Sequence, residues 1–227
     1  MSAVNRARNV DLRLYALVDL GRAGGHPLPE LAWLLAAGGA TLIQLRDKHG
    51  DTRAMVEAAR AIRENLAPMH VPLLINDRVD VALAALADGV HLGQDDMAAA
   101  DARRLLGGAA IIGLSVKTVA QAEAAPIDVI DYAAIGGVYA TASKHNPDPP
   151  IGVAGLARIA GVLRRRRAGL PICAIAGIDH SNAAATVAAG ADGVAVISAL
   201  SLAQSPPDAA RELRAIVDAA LAERARK

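Results

Sequence analysis

The sequence predicts an α/β fold, a single (β/α)8 TIM barrel, on three observations. Eight short apolar runs recur along 227 residues. Amphipathic stretches separate them. Polar residues collect where the apolar runs end. The runs are mostly continuous rather than alternating, as parallel strands buried on both faces require. Between them, apolar positions repeat at spacings of three and four, the pattern of helices with one buried face. The length suits one such barrel, and no Ser/Gly-rich linker or shift of composition divides the chain. An open doubly wound sheet is the alternative arrangement of the same alternation.

Residues 1–12 read as a flexible extension without the apolar segment of a signal peptide. Strands are expected at 14–18, 41–45, 71–75, 89–92, 110–114, 131–138, 171–175 and 193–197. Helices are expected at 29–37, 52–66, 78–87, 98–106, 153–165, 181–189 and 207–223, with a short fifth helix at 118–124. Three copies of one pattern, LAAGGATLIQL (35–45), LAALADGVHLG (83–93) and VAAGADGVAVI (187–197), join a helix end to a strand start. Their glycines suit the position after a helix, where a left-handed backbone costs least without a Cβ. These turns are expected to close the bottom of the barrel and to serve stability. Residues 139–152, with Pro147, Pro149 and Pro150, form the longest irregular segment and follow the sixth strand. A loop this long in a compact domain is usually functional.

A net charge of +1 argues against a polyanionic partner or membrane surface. The basic run 164–167 at a helix end is expected to cap carbonyls and stay solvated. A single cysteine, Cys173, allows no internal disulfide and suits a reducing cytoplasm. No apolar run reaches the roughly 18 residues of a membrane span. No GxGxxG, Walker A loop or nucleophile elbow occurs, so no dinucleotide, ATP or serine-hydrolase chemistry is expected.

The candidate site lies at the C-terminal ends of the strands, where barrels of this kind place their chemistry. Gln44, Arg46 and Lys48 alternate with Leu45 and Asp47, so two cations and an amide converge and call for an anion. Asn76 and Asp77 end the third strand, and Gln94, Asp95 and Asp96 the fourth. Carboxylates facing each other across a barrel mouth need a cation between them, and beside a diphosphate that cation is Mg²⁺. Helix capping is the other role open to Asp95 and Asp96. Ser115 can meet a phosphate or cap the next helix. Thr141-Ala142-Ser143-Lys144 carries two hydroxyls and an ammonium. Gly177 and Ser198 follow the last two strands, a frequent phosphate site. His91 reads as a core residue or a partner to a neighbouring strand.

Taken in order, QLRDK (44–48), IND (75–77), GVHLGQDD (89–96), GLS (113–115) and GADGVAVISAL (190–200) resemble the thiamine-phosphate synthases. The resemblance runs from Leu14 to Leu200 and implies a transferase joining an aminopyrimidine diphosphate to a thiazole phosphate. It implies that Gln44, Leu45, Arg46, Asp47, Lys48, Asn76, Ser115 and Lys144 hold the pyrimidine diphosphate, with Arg46, Lys48, Ser115 and Lys144 catalytic. It implies that Thr141, Ala142, Ser143, Gly177, Ile197 and Ser198 hold the thiazole phosphate, and that Asp77 and Asp96 hold Mg²⁺. Departures cluster on the thiazole side. Ala140 replaces a proline, Ser143 a threonine, Gly136-Gly137 a Gly-Pro, Ala176 a glycine and Lys117 a histidine. A thiazole tautomerase and a non-catalytic thiamine phosphate sensor are the competing readings. Small-molecule substrates are expected, with no nucleic acid and no membrane, and a homo-oligomer is left open.

Overall fold

A computed structural model describes residues 10–48, 50–141, 143 and 149–226. Eight parallel strands close in sequence order into one barrel. They are β1 (Leu14–Asp19), β2 (Leu42–Arg46), β3 (Leu73–Asn76), β4 (Gly89–Leu92), β5 (Ile111–Val116), β6 (Tyr132–Gly136), β7 (Ile172–Ile175) and β8 (Gly193–Val196). The helices between them are α1 (Leu28–Ala37), α2 (Thr52–Leu66), α3 (Val79–Ala85), α4 (Ala99–Leu106), α5 (Val119–Ala124), α6 (Gly152–Arg166) and α7 (Ala183–Ala188). After β8 come the one-turn α8 (Ser198–Ser201) and the long α9 (Pro206–Ala225).

Strand alternation sorts the side chains into two cores. Leu14, Ala16 and Val18 of β1 face the helices, in the larger cluster. Tyr15 and Leu17 point into the barrel with Leu42, Leu74, Tyr132 and Cys173. The inner core is built from these few large side chains, Tyr15 and Tyr132 being wholly buried. Val10 and Leu12 belong to it as well. The end of the expected flexible extension is therefore part of the core, because these two side chains plug the barrel's lower opening; residues 1–9 lie outside the described residues.

The repeat has a structural reason that its glycines alone do not give. At the lower rim, a side chain just before one strand bonds a backbone N–H at the first or second residue of the strand before it. Leu14 N donates to Thr41 Oγ1 at 3.1 Å, Leu73 N to Asp88 Oδ2 at 2.8 Å, Ile112 N to Asp131 Oδ2 at 2.7 Å and Ile172 N to Asp192 Oδ2 at 2.9 Å. Each clip satisfies a donor that the ladder leaves unpaired at a strand start. Arginines then hold two of these carboxylates, Asp131 and Asp192. Arg103 pairs with Asp131 at 2.7 Å, and Arg164 and Arg224 both meet Asp192 at 2.8 Å.

The glycine reading needs correction in part. Gly39 and Gly190 do have positive φ after their helices, at 105° and 116°. In the middle copy that place is taken by Leu86, at φ 55°. Gly89 and Gly193 instead start strands, where a Cβ would fall 1.9 Å and 1.7 Å from the carbonyls of Ile111 and Leu12. The basic run does cap carbonyls, but those of a neighbouring segment: Arg166 reaches Ala122 and Ala125, and Arg167 reaches Ile127 and Ile130.

Element ends shift by at most two residues. The seventh helix is shorter than expected, because Asp179 holds Ser181 and Asn182 in a turn at its entrance. No helix among the described residues is long and apolar enough to cross a membrane.

Candidate active site

A cavity of about 530 Å³ opens at the C-terminal end of the barrel. That is the size of a small-molecule site. Every strand contributes to it directly or through the loop it feeds. Gln44, Arg46, Asn76, His91 and Ser115 line one part; Thr141, Ser143, Gly177, Ile197 and Ser198 line another.

Gln44 points inward because its register partners, Leu17 and Leu74, are inner-core positions. It is buried and its Nε2 meets the Tyr15 hydroxyl, while Oε1 has no partner. Asn76 Nδ2 is likewise buried and unpartnered. A buried orphan amide costs about 1–3 kcal/mol. Two such groups on the wall of one cavity are complementary to a polar ligand. The alternating residues fall elsewhere. Leu45 is buried among the helices, and Asp47 Oδ1 accepts from Gly50 N at 2.7 Å in its own turn.

Arg46 and Lys48 each lie against a carboxylate. Arg46 pairs with Asp19, both largely buried, and Asp19 also caps the turn after β1 by accepting from Gly21 N at 2.9 Å. Lys48 pairs with Asp77. Asp77 in turn shares a hydrogen bond with Asp96. Burial works against ionisation of Asp77, but Lys48 and the Asp96 hydrogen bond hold its carboxyl below the ordinary carboxylate value. Burial and the facing Asp77 push Asp96 above it. Two carboxyls that oppose each other's full ionisation in this way fit Mg²⁺, which would neutralise both, keeps few protein ligands and leaves room for phosphate oxygens. Asp96 also accepts from Gly93 N at 2.6 Å. It does not cap α4, whose first turn carries no side-chain cap. Asp77 adopts a left-handed backbone, φ 62°, which aspartate tolerates better than most residues.

Ser115 does not cap α5; Thr118 does, accepting from Gln121 N at 3.1 Å. Ser115 Oγ instead lies 2.9 Å from His91 Nε2. That is the partnership with a neighbouring strand expected of His91, and its other nitrogen reaches further across, to Tyr132 of β6.

On the other side, Ser143 Oγ and Ser198 Oγ stand 2.6 Å apart, and Ser143 N donates to Thr141 Oγ1 at 3.1 Å. Three hydroxyls from the β6 loop and the end of β8 thus meet in one place. Gly177 lies beside them at φ 66°. A Cβ there would come within 2.3 Å of the Ala140 carbonyl. The glycine serves close passage of the β6 loop as well as any ligand. Ala142 and Lys144 lie outside the described residues.

Two site residues carry no mark in the motifs read above: Asp19 ends the first strand and Arg22 ends the turn after it. Arg22 and Lys117 line the cavity. The strand-end rule would have found Asp19 and Arg22. Nothing in the local pattern marks Tyr15 or Tyr132 as polar partners.

Comparison with known proteins finds similar sequences and a similar fold. A family model described as thiamine monophosphate synthase matches residues 14–200. A thiamine-phosphate synthase of Agrobacterium fabrum is 56% identical over 215 residues, 95% of this chain and 98% of the relative. One from Chloroflexus aurantiacus is 45% identical over 211 residues, 93% and 95% of the two chains. Among solved structures, a thiamine phosphate pyrophosphorylase from Pyrococcus furiosus superposes with a TM-score of 0.81 at 36% identity, covering 93% of this chain and 98% of that one.

Proposed function

This chain belongs to the thiamine monophosphate synthase family, transferases of thiamine biosynthesis, and from that premise we propose that it joins an aminopyrimidine bearing a diphosphooxymethyl group to a thiazole phosphate. The carbon–oxygen bond to diphosphate breaks, and its electron pair leaves on the diphosphate oxygen. The thiazole nitrogen lone pair then forms the new carbon–nitrogen bond. No proton needs to move in either step, which agrees with a site rich in cations and amides.

The departing diphosphate makes the largest demand, since charge develops on it as the bond breaks. Arg46, Lys48 and Lys144 supply positive charge. Asp77 and Asp96 would hold Mg²⁺, which when bound neutralises further charge on the diphosphate. Asn76, Gln44 and Ser115 orient the pyrimidine. Thr141, Ser143 and Ser198 offer hydroxyls to the thiazole phosphate, with Gly177 and Ile197 beside them. Holding both substrates in one cavity replaces an encounter in solution by a fixed approach. The observation that carries this reading is the division of the cavity, orphan amides on one side and clustered hydroxyls on the other, with the paired carboxylates of Asp77 and Asp96 outside its lining and directly after Asn76 in the case of Asp77.

The test is diphosphate release, coupled to a diphosphatase, with each substrate and with Mg²⁺ withheld in turn. The reading requires release that depends on all three, with thiamine phosphate seen by mass spectrometry. Asp77→Asn should then raise the Mg²⁺ concentration needed for half-maximal rate. Isomerisation of the thiazole phosphate without diphosphate release would instead make the chain a tautomerase.

A further inference from the structure

A chain of buried hydrogen bonds crosses the barrel beneath the cavity and joins two residues of the site. Tyr132 donates to the Tyr15 hydroxyl at 2.9 Å. His91 Nδ1 lies 2.8 Å from the Tyr132 oxygen, and His91 Nε2 lies 2.9 Å from Ser115 Oγ. At the other end Gln44 meets Tyr15. The three rings interlock, His91 stacked on Tyr132 at 5.6 Å and Tyr132 edge-on to Tyr15 at 5.9 Å. Gly113 makes the room: a Cβ there would lie 2.1 Å from the Tyr132 ring.

The protons in this chain can be counted. Each phenol has one, and burial raises both phenols, so each keeps it. The Tyr132 proton goes to Tyr15, so the Tyr132 oxygen accepts from His91. That places the imidazole proton on Nδ1. In the neutral imidazole Nε2 is then a lone pair, and the Ser115 hydroxyl turns its proton to it. At the far end Tyr15 already accepts from Tyr132 and needs an acceptor of its own. Gln44 Oε1 is buried without a partner. A half-turn of the Gln44 amide places Oε1 on the Tyr15 proton and turns Nε2 toward the cavity, so that every proton within the chain has an acceptor and Nε2 is left as a donor facing the cavity.

We propose that Tyr15, Tyr132 and His91 are positioning residues that fix the sense of this chain, so that Ser115 meets the substrate as an acceptor and Gln44 meets it as a donor. The pattern matches an aminopyrimidine, whose ring nitrogens accept and whose amino group donates. The proposal rests on the functional reading above for the identity of that substrate. The proton arrangement is independent of it.

Nitrogen NMR of the protein labelled at its six histidines, with His91 assigned by difference from His91→Gln, reads the arrangement without substrate. Protonated Nδ1 and bare Nε2 are expected. A proton on Nε2 overturns the proposal whether or not the chain proves to be a synthase. Kinetics reads the consequence. Tyr132→Phe keeps the ring but removes the acceptor, and kcat should fall about tenfold, the equivalent of one lost hydrogen bond. His91→Gln can still accept from Ser115, and His91→Asn cannot reach it. The glutamine variant should therefore stay within about threefold of the parent, while the asparagine variant loses as much as Ser115→Ala and adds nothing to it in combination. Equal losses in the two His91 variants, or additive losses with Ser115→Ala, would show that His91 only fills space.

Discussion

Ala176 and Gly177 stand next to each other with positive φ, 83° and 66°, yet their substitutions should have opposite effects. Ala176 carries a Cβ in a backbone region that disfavours one by about 1–2 kcal/mol. Ala176→Gly relieves this but loosens the unfolded chain, leaving a net gain of about 0.5–1 kcal/mol. Gly177→Ala places a Cβ against the Ala140 carbonyl and should cost more than about 2 kcal/mol. Urea titration of both variants decides the matter, and a destabilised Ala176→Gly would mean that the loop above it depends on the methyl group. The family resemblance marks position 176 as a departure from glycine. The φ angle explains why glycine is the usual residue there.

Among the elements, the strand starts and strand ends do different work. The clips at the lower rim are made by side chains whose sequence signal is a single Asp or Thr before a β-branched run. The repeat was visible because its spacing is local. The partner that each clip bonds is one strand away and leaves no local trace. The same applies to Arg103, Arg164 and Arg224, whose carboxylate and carbonyl partners are brought to them by the fold and leave no trace beside them in the sequence. Asp192 shows the strength of this arrangement, accepting from Ile172 N on one oxygen and from two guanidiniums on the other. Asp192→Ala leaves a strand-start N–H unpaired and two cations adjacent, a loss of about 2–4 kcal/mol. Denaturant unfolding should record that loss while turnover per folded molecule stays unchanged, because Asp192 lies at the opposite end of the barrel from the cavity. A reduced turnover at equal folded fraction would mean that the rim transmits its geometry to the mouth.

Across the whole molecule, stability and chemistry are placed at opposite ends, and this division governed what could be read in advance. Polar residues at strand ends were legible because an apolar run that finishes in Gln-Leu-Arg-Asp-Lys has no structural need for such charges. Tyr15 and Tyr132 were not, since an aromatic residue within a buried strand looks like packing whatever its hydroxyl touches. The division also predicts that the mouth is held at a cost to the metal-free protein. Asp96 has its carboxyl pushed up by burial and by Asp77. A carboxyl raised in the folded state contributes stability that is present below its unfolded value, near 3.8, and lost as pH rises through the folded value. Asp96→Asn resembles the protonated form at every pH. In metal-free buffer the variant should therefore melt a few degrees above the parent at neutral pH, and the gap should close as pH falls toward 4. Added Mg²⁺ should stabilise the parent and leave the variant unmoved, while diphosphate release by the variant falls. A gap that persists unchanged at pH 4 would assign the effect to packing rather than to the facing carboxylates.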